Sequence, residues 1–156
     1  QLDLNMPKQF KLTFTNEQGG QSDIYMIHAA IMGAIERFMS ILIEHYAGTF
    51  PLWLAPEQIW ILPVSDKFTF FARTIKQQLL EKSSAQLRVE VKDENETLGK
   101  KIREGEMQKI PYLLIVGERE KRDNRVSVRE RKKGDIGTMK LEQFIAKIEE
   151  ETQSRI

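Results

Sequence analysis

Apolar residues recur along this chain with two different periods, and the pattern changes character after Pro56. Phe10, Leu12 and Phe14 alternate with Lys11, Thr13 and Thr15, which predicts a half-buried strand over 10–15. Asn16 to Gly20 reads as a turn. Ile24, Met26, His28 and Ala30 alternate with Tyr25, Ile27 and Ala29, predicting a second strand with His28 on the Met26 face. Gly33 breaks that alternation. From Ala34 the spacing is helical, with Ile35, Phe38, Met39, Leu42, Ile43 and Tyr46 on one stripe. Ala47-Gly48 closes this helix, and Pro51 and Pro56 mark a connecting loop.

Beyond Pro56, strands and helices take turns. Gln58 to Val64 is short and continuously apolar, as a buried parallel strand is. Ser65 or Asp66 caps an expected helix running to about Lys82. Leu87 to Val91 alternates as a strand, Thr97 to about Met107 as a helix of mixed charge, and Tyr112 to Val116 as a buried strand begun by Pro111. Lys121 to Asn124 reads as a turn, Arg125 to Arg131 as an alternating strand, and Lys140 to Thr152 as an amphipathic helix with Leu141, Phe144, Ile145 and Ile148 on its apolar side. This order predicts an α/β fold: a mostly parallel sheet under helices, with one antiparallel pair near the end.

Composition narrows the class. The 156 residues suffice for one domain, or a small domain plus part of another. The 40% hydrophobic and 30% charged content is that of an ordinary water-soluble chain. With no cysteine, disulfides and thiol catalysis are excluded and the cytoplasm is the expected compartment. No apolar run approaches the roughly 20 residues that span a bilayer, so no membrane partner is expected. The net charge of +1 selects no partner, but its distribution is uneven. Residues 118–133 hold eight basic and four acidic side chains, which suits either a solvated hairpin or an RNA-facing edge. Within that run Arg129 and Arg131 share a side with Ser127, and Val126 and Val128 point to the core. Phe10, Phe14, Trp53 and Trp60 are candidates for an exposed apolar patch.

Several segments together carry a resemblance. Met26 to Pro56 looks like motif 3 of a class II aminoacyl-tRNA synthetase with the linker that follows it. Glu57-Gln58-Ile59 with Ile61 to Val64, Lys109 to Tyr112 with Gly117, and Val126 to Arg129 with Gly134-Asp135 resemble the strands of a class IIa anticodon-binding domain. Ile43 to Gly48 joined to Phe50 to Pro56 is similar to the threonyl-tRNA synthetase family in particular, as is Gln1 to Leu4. The resemblance implies a catalytic-domain part over 1–54, a strand-strand-helix remnant, and an anticodon-binding domain over 55–156 with a mixed, mostly parallel five-stranded sheet and flanking helices.

It also implies an activity: ATP-dependent ligation of L-threonine to its tRNA through threonyl-adenylate, by a parent enzyme expected to be a homodimer. Arg37 matches the motif 3 catalytic arginine at ATP, where a planar guanidinium suits both a base and a phosphate. Gln1 matches a residue near ATP. His28 matches a zinc ligand whose companions lie upstream, so zinc and ATP are expected in the full-length context and neither is expected to bind tightly to this chain alone. Ala29 and Ala34 depart from the family's Arg and Ser. Asn95, Arg103, Glu120 and Arg129 match anticodon contacts, and Lys101, Lys132 and Lys133 suit RNA phosphates. Motifs 1 and 2 are missing from the 156 residues, so this chain alone is expected not to aminoacylate. A non-catalytic tRNA- or RNA-binding module with the same fold is the second reading, and an α/β domain binding a protein through its charged hairpin is the third.

Overall fold

The computed structural model describes residues 1–154, and the chain separates into two units between His45 and Tyr46. In the first unit the elements are β1 (Leu2–Asp3), α1 (Met6–Gln9), β2 (Thr13–Thr15), β3 (Gln21–Asp23), β4 (Met26–Ile27) and α2 (Ile35–Tyr46). β1 pairs antiparallel with β4, and β2 with β3. The strand expected over 10–15 is shorter because its first residues belong to a helical turn. Asp3 Oδ1 accepts from the backbone N–H groups of Asn5 (2.8 Å) and Met6 (2.9 Å), Pro7 stands in the first turn, and Phe10 closes it. The strand expected from Ile24 is likewise two short pieces, although Ile24, Met26 and His28 do share the less exposed side. Phe14 in the β2–β3 ribbon stays 50% exposed, and Phe10, at the end of α1, 61%. α2 keeps the expected helical stripe, but none of its residues is fully buried.

The second unit contains β5 (Ile59–Pro63), α3 (Thr69–Lys82), β6 (Val89–Val91), α4 (Leu98–Met107), β7 (Tyr112–Val116), α5 (Glu118–Asp123), β8 (Arg125–Glu130), β9 (Gly134–Lys140) and α6 (Leu141–Ser154). The five strands lie in the order β6-β5-β7-β8-β9, with β5 parallel to β6 and β7, and β8 antiparallel to β7 and β9. The mixed five-stranded sheet is therefore as expected, with two antiparallel pairs rather than the one read from the pattern. Two further details depart from the pattern. A 3₁₀ turn, Asp66–Phe68, precedes α3, and the Ser65 side chain makes no cap hydrogen bond. The segment read as a turn before β8 is helix α5, with Glu120 Oε2 accepting the Gly117 N–H at 3.0 Å and Asn124 ending the helix at φ 50°.

Each face of the sheet has its own core. On one side Ile59, Ile61, Tyr112, Leu114, Val126 and Val128 pack against Ala72, Ile75 and Leu79 of α3 and Phe144, Ile145 and Ile148 of α6. On the other side Trp60, Leu62 and Leu113 meet Leu98 and Ile102 of α4. Trp60 is 1% exposed, so it is core rather than part of an apolar patch. Gly105 is what lets α4 sit this close: a Cβ there would fall 2.6 Å from Leu113 Cδ2 and 3.2 Å from Trp60 Cε3.

Candidate nucleic-acid interface

The period-2 alternation of β8 decides which of its side chains face which core. Val126 and Val128 are wholly buried toward α3 and α6. Ser127 and Arg129 therefore lie on the α4 side, opposite Ile115 and Leu113 of β7 in the strand register. α4 covers the β5–β7 part of that face. Its Leu98, Ile102 and Gly105 turn inward at helical spacing, and Arg103 and Glu106, three apart, share its flank. Arg129 Nη2 donates to Glu106 Oε1 at 3.2 Å, linking sheet and helix across a concave site of about 300 Å³. Ile110 and Leu113 give it an apolar floor, and Arg129, Glu130, Arg131, Lys132 and Gly134 complete the wall.

The turn from β8 to β9 is built to hold this wall. Lys132 and Gly134 both take left-handed backbone, at φ 76° and 74°, which makes the reversal tight. Arg131 is anchored rather than free. Its Nη1 donates to the carbonyl of Lys109 at 2.7 Å and its Nη2 to that of Phe50 at 2.6 Å, and burial lowers its affinity for its proton. Glu130 accepts from Lys133 (2.6 Å) and Lys147 (3.2 Å). Burial pushes its carboxyl up, but the two ammonium groups outweigh this and hold it below the ordinary glutamate range. Tyr112 OH donates to Glu151 Oε2 at 2.5 Å, and burial first, then that carboxylate, raises its phenol far above the usual range.

Of the four residues matched to anticodon contacts, Arg129 lines the groove and pairs with Glu106, and Arg103 is exposed on α4 three residues before Glu106. Asn95 is exposed in the loop after β6, and Glu120 stands in α5 after β7, so both belong to the end where the parallel strands finish. Glu120 has one carboxylate oxygen engaged at the Gly117 N–H. Lys132 and Lys133 are exposed. Lys101 is not available to a phosphate: it is 5% exposed and its Nζ donates to the Lys92 carbonyl at 2.9 Å. Lys92 in turn places its Nζ 4.0 Å from the Trp60 ring centroid. Sequence reasoning missed Glu106 and the anchoring of Arg131, because both depend on partners 22 or more positions away.

In the first unit, the Gln1 amino group donates to the His28 carbonyl at 3.0 Å, and His28 Nε2 lies 3.2 Å from Asp3 Oδ2. Arg37 is exposed in the first turn of α2, with no ion-pair partner for its guanidinium among the described residues. Such a group fits an adenine ring or a phosphate. Among the described residues no three of His, Cys, Asp and Glu converge on a metal position, whereas zinc takes three or four ligands.

A family model described as an anticodon binding domain matches residues 58–151. A threonine–tRNA ligase of Clostridioides difficile (strain 630) is 52% identical over 155 residues, covering 99% of this chain and 24% of that protein. That of Porphyromonas gingivalis (strain W83) is 46% identical over 156 residues, covering 100% of this chain and 23% of that protein. Among solved structures, the RNA binding domain of threonyl-tRNA synthetase from Cryptosporidium parvum Iowa II superposes with a TM-score of 0.69 at 32% identity, covering 96% of this chain and 37% of that one. The chain spans about a quarter of the length of the curated relatives it matches.

Proposed function

The chain belongs to the anticodon-binding domain family and is homologous to threonine–tRNA ligases, and we propose that it supplies tRNA anticodon recognition to such a ligase. The observation that carries this reading is the groove between α4 and β8, where Arg129 stands over an apolar floor beside an open helix flank. Unstacked bases are read by hydrogen bonds to their edges and by packing of their faces, and the groove offers both. In this reading Arg129, Arg103, Asn95 and Glu120 contact anticodon bases, and Lys132 and Lys133 hold phosphates.

The whole enzyme joins L-threonine to its tRNA through threonyl-adenylate, using ATP, as a cytoplasmic homodimer. Within it Arg37 and Gln1 form one wall of the ATP site, Arg37 stacking on adenine or pairing with phosphate. His28 contributes one zinc ligand to a set completed outside these residues, so equilibrium dialysis of this chain is expected to give no tight stoichiometric zinc. The 156 residues alone bind tRNA without charging it.

A gel-shift titration with threonine tRNA and an anticodon-swapped control tests the reading. Tighter binding of the threonine tRNA supports it; equal binding of the two sinks it.

A further inference from the structure

Glu106 faces the groove but belongs to none of the residues assigned above. Its side chain is 57% exposed and that of Arg129 29%, and a single contact joins them, Arg129 Nη2 to Glu106 Oε1 at 3.2 Å. Both residues line the concavity, and this contact engages one carboxylate oxygen and one guanidinium nitrogen. We propose that Glu106 is a specificity-determining residue: paired with Arg129, it makes the groove select a nucleobase edge and reject a phosphate. This inference rests on the anticodon-binding reading of the same groove.

The argument is one of donor and acceptor inventory. A lone arginine takes a phosphate as readily as a base acceptor, because both offer oxygen or nitrogen lone pairs. A carboxylate beside it changes the requirement. It repels the phosphate and needs a donor from whatever enters. The Watson–Crick edge of every nucleobase presents an N–H donor next to an acceptor, and a backbone phosphate diester presents no donor at all. Ile110 and Leu113, 6% and 3% exposed, give the floor on which the face of such a base rests. The neighbouring cations fit the division of labour: Arg131 is already bound to two carbonyls, and Lys132, with no ion-pair partner among the described residues, is exposed at the rim.

The test compares Glu106→Ala, Glu106→Gln and the unaltered 156-residue chain. The RNA probes are the anticodon stem-loop of threonine tRNA, a stem-loop with swapped anticodon bases, and one with abasic anticodon positions. Inorganic polyphosphate serves as a base-free competitor. Glu106→Ala is expected to tighten binding of the abasic loop and of polyphosphate, to steepen the salt dependence by about one ion, and to lower the preference for the cognate loop roughly tenfold. Glu106→Gln, which keeps an acceptor but loses the charge, is expected to gain the phosphate affinity while keeping part of the base preference. Glu106 is exposed, so both variants should melt close to the unaltered chain. Unchanged cognate preference in Glu106→Ala, or an equal loss on all probes, overturns the role of Glu106. If the unaltered chain itself fails to distinguish cognate from swapped loops, the anticodon-binding reading fails instead.

Discussion

Arg131 donates through Nη2 to the backbone carbonyl of Phe50, 81 positions earlier, at 2.6 Å. With its second bond to Lys109, this one side chain ties the 47–56 loop, the α4–β7 connection and the β8–β9 turn to each other. Lys109 reinforces the same junction by donating to the Ala47 carbonyl. Arg131→Ala leaves two carbonyls without their charged donor and is expected to cost roughly 2 kcal/mol of stability. Arg131→Lys recovers only part, because an ammonium on a flexible stem does not span both carbonyls as a planar fork does. Urea midpoints for the three proteins check this; equal midpoints count against the junction.

Two glycines of α4 are expected to respond oppositely to alanine. At Gly99 nothing lies within 4 Å of the new Cβ, and the gain in helix propensity is expected to stabilise by up to about 1 kcal/mol. At Gly105 the same gain is outweighed by the 2.6 Å approach to Leu113, a 3% exposed side chain with little room to move, and a loss of roughly 1–3 kcal/mol is expected. Thermal melts of the pair decide it; a stabilised Gly105→Ala shows that α4 can lift from the sheet at no cost.

Glu130 sets a pH dependence. Its folded carboxyl is held below its ordinary value, so its stabilisation is present at neutral pH and is lost as pH falls through the folded value. Glu130→Gln removes that dependence and leaves Lys133 and Lys147 without their shared partner. The difference in unfolding free energy between the two proteins is expected to be largest near pH 7 and to shrink below about pH 4. A difference that stays constant from pH 7 to pH 3 rules out this contribution.

Arg129→Ala and Lys132→Ala separate base reading from phosphate binding. The first is expected to cost roughly 1–3 kcal/mol toward the cognate anticodon loop and to relax base preference. The second is expected to weaken all RNAs alike and to lower the salt slope by about one. Binding isotherms at several salt concentrations, on cognate and swapped loops, are the measurement. If both variants affect both loops equally, Arg129 is a phosphate contact like Lys132.

Period alone located most of the second unit. β5 and β7 are continuous apolar runs of five, and continuous burial is what a central parallel strand requires. α3, α4 and α6 follow from their spacing, and the inward Val126 and Val128 from alternation. β9 was not legible. It carries Gly134 and Gly137, and its strand geometry comes from the ladder to β8, from Arg125↔Lys140 to Glu130↔Gly134. α5 was hidden for a similar reason: six polar residues with no apolar stripe, made a helix by the Glu120 bond to Gly117 and the left-handed Asn124.

The sequence by itself determined the apolar faces of the central strands β5 and β7 and of α6, which family's pattern they follow, and that Arg129 faces away from Val128. Only the tertiary structure decided what Arg129 faces. Local periodicity places a side chain on one side of its own element and says nothing of the element packed opposite. The closeness of α4 allowed by Gly105, which sets Glu106 against Arg129, and the capture of Arg131 by Phe50 and Lys109 arise from contacts between distant segments.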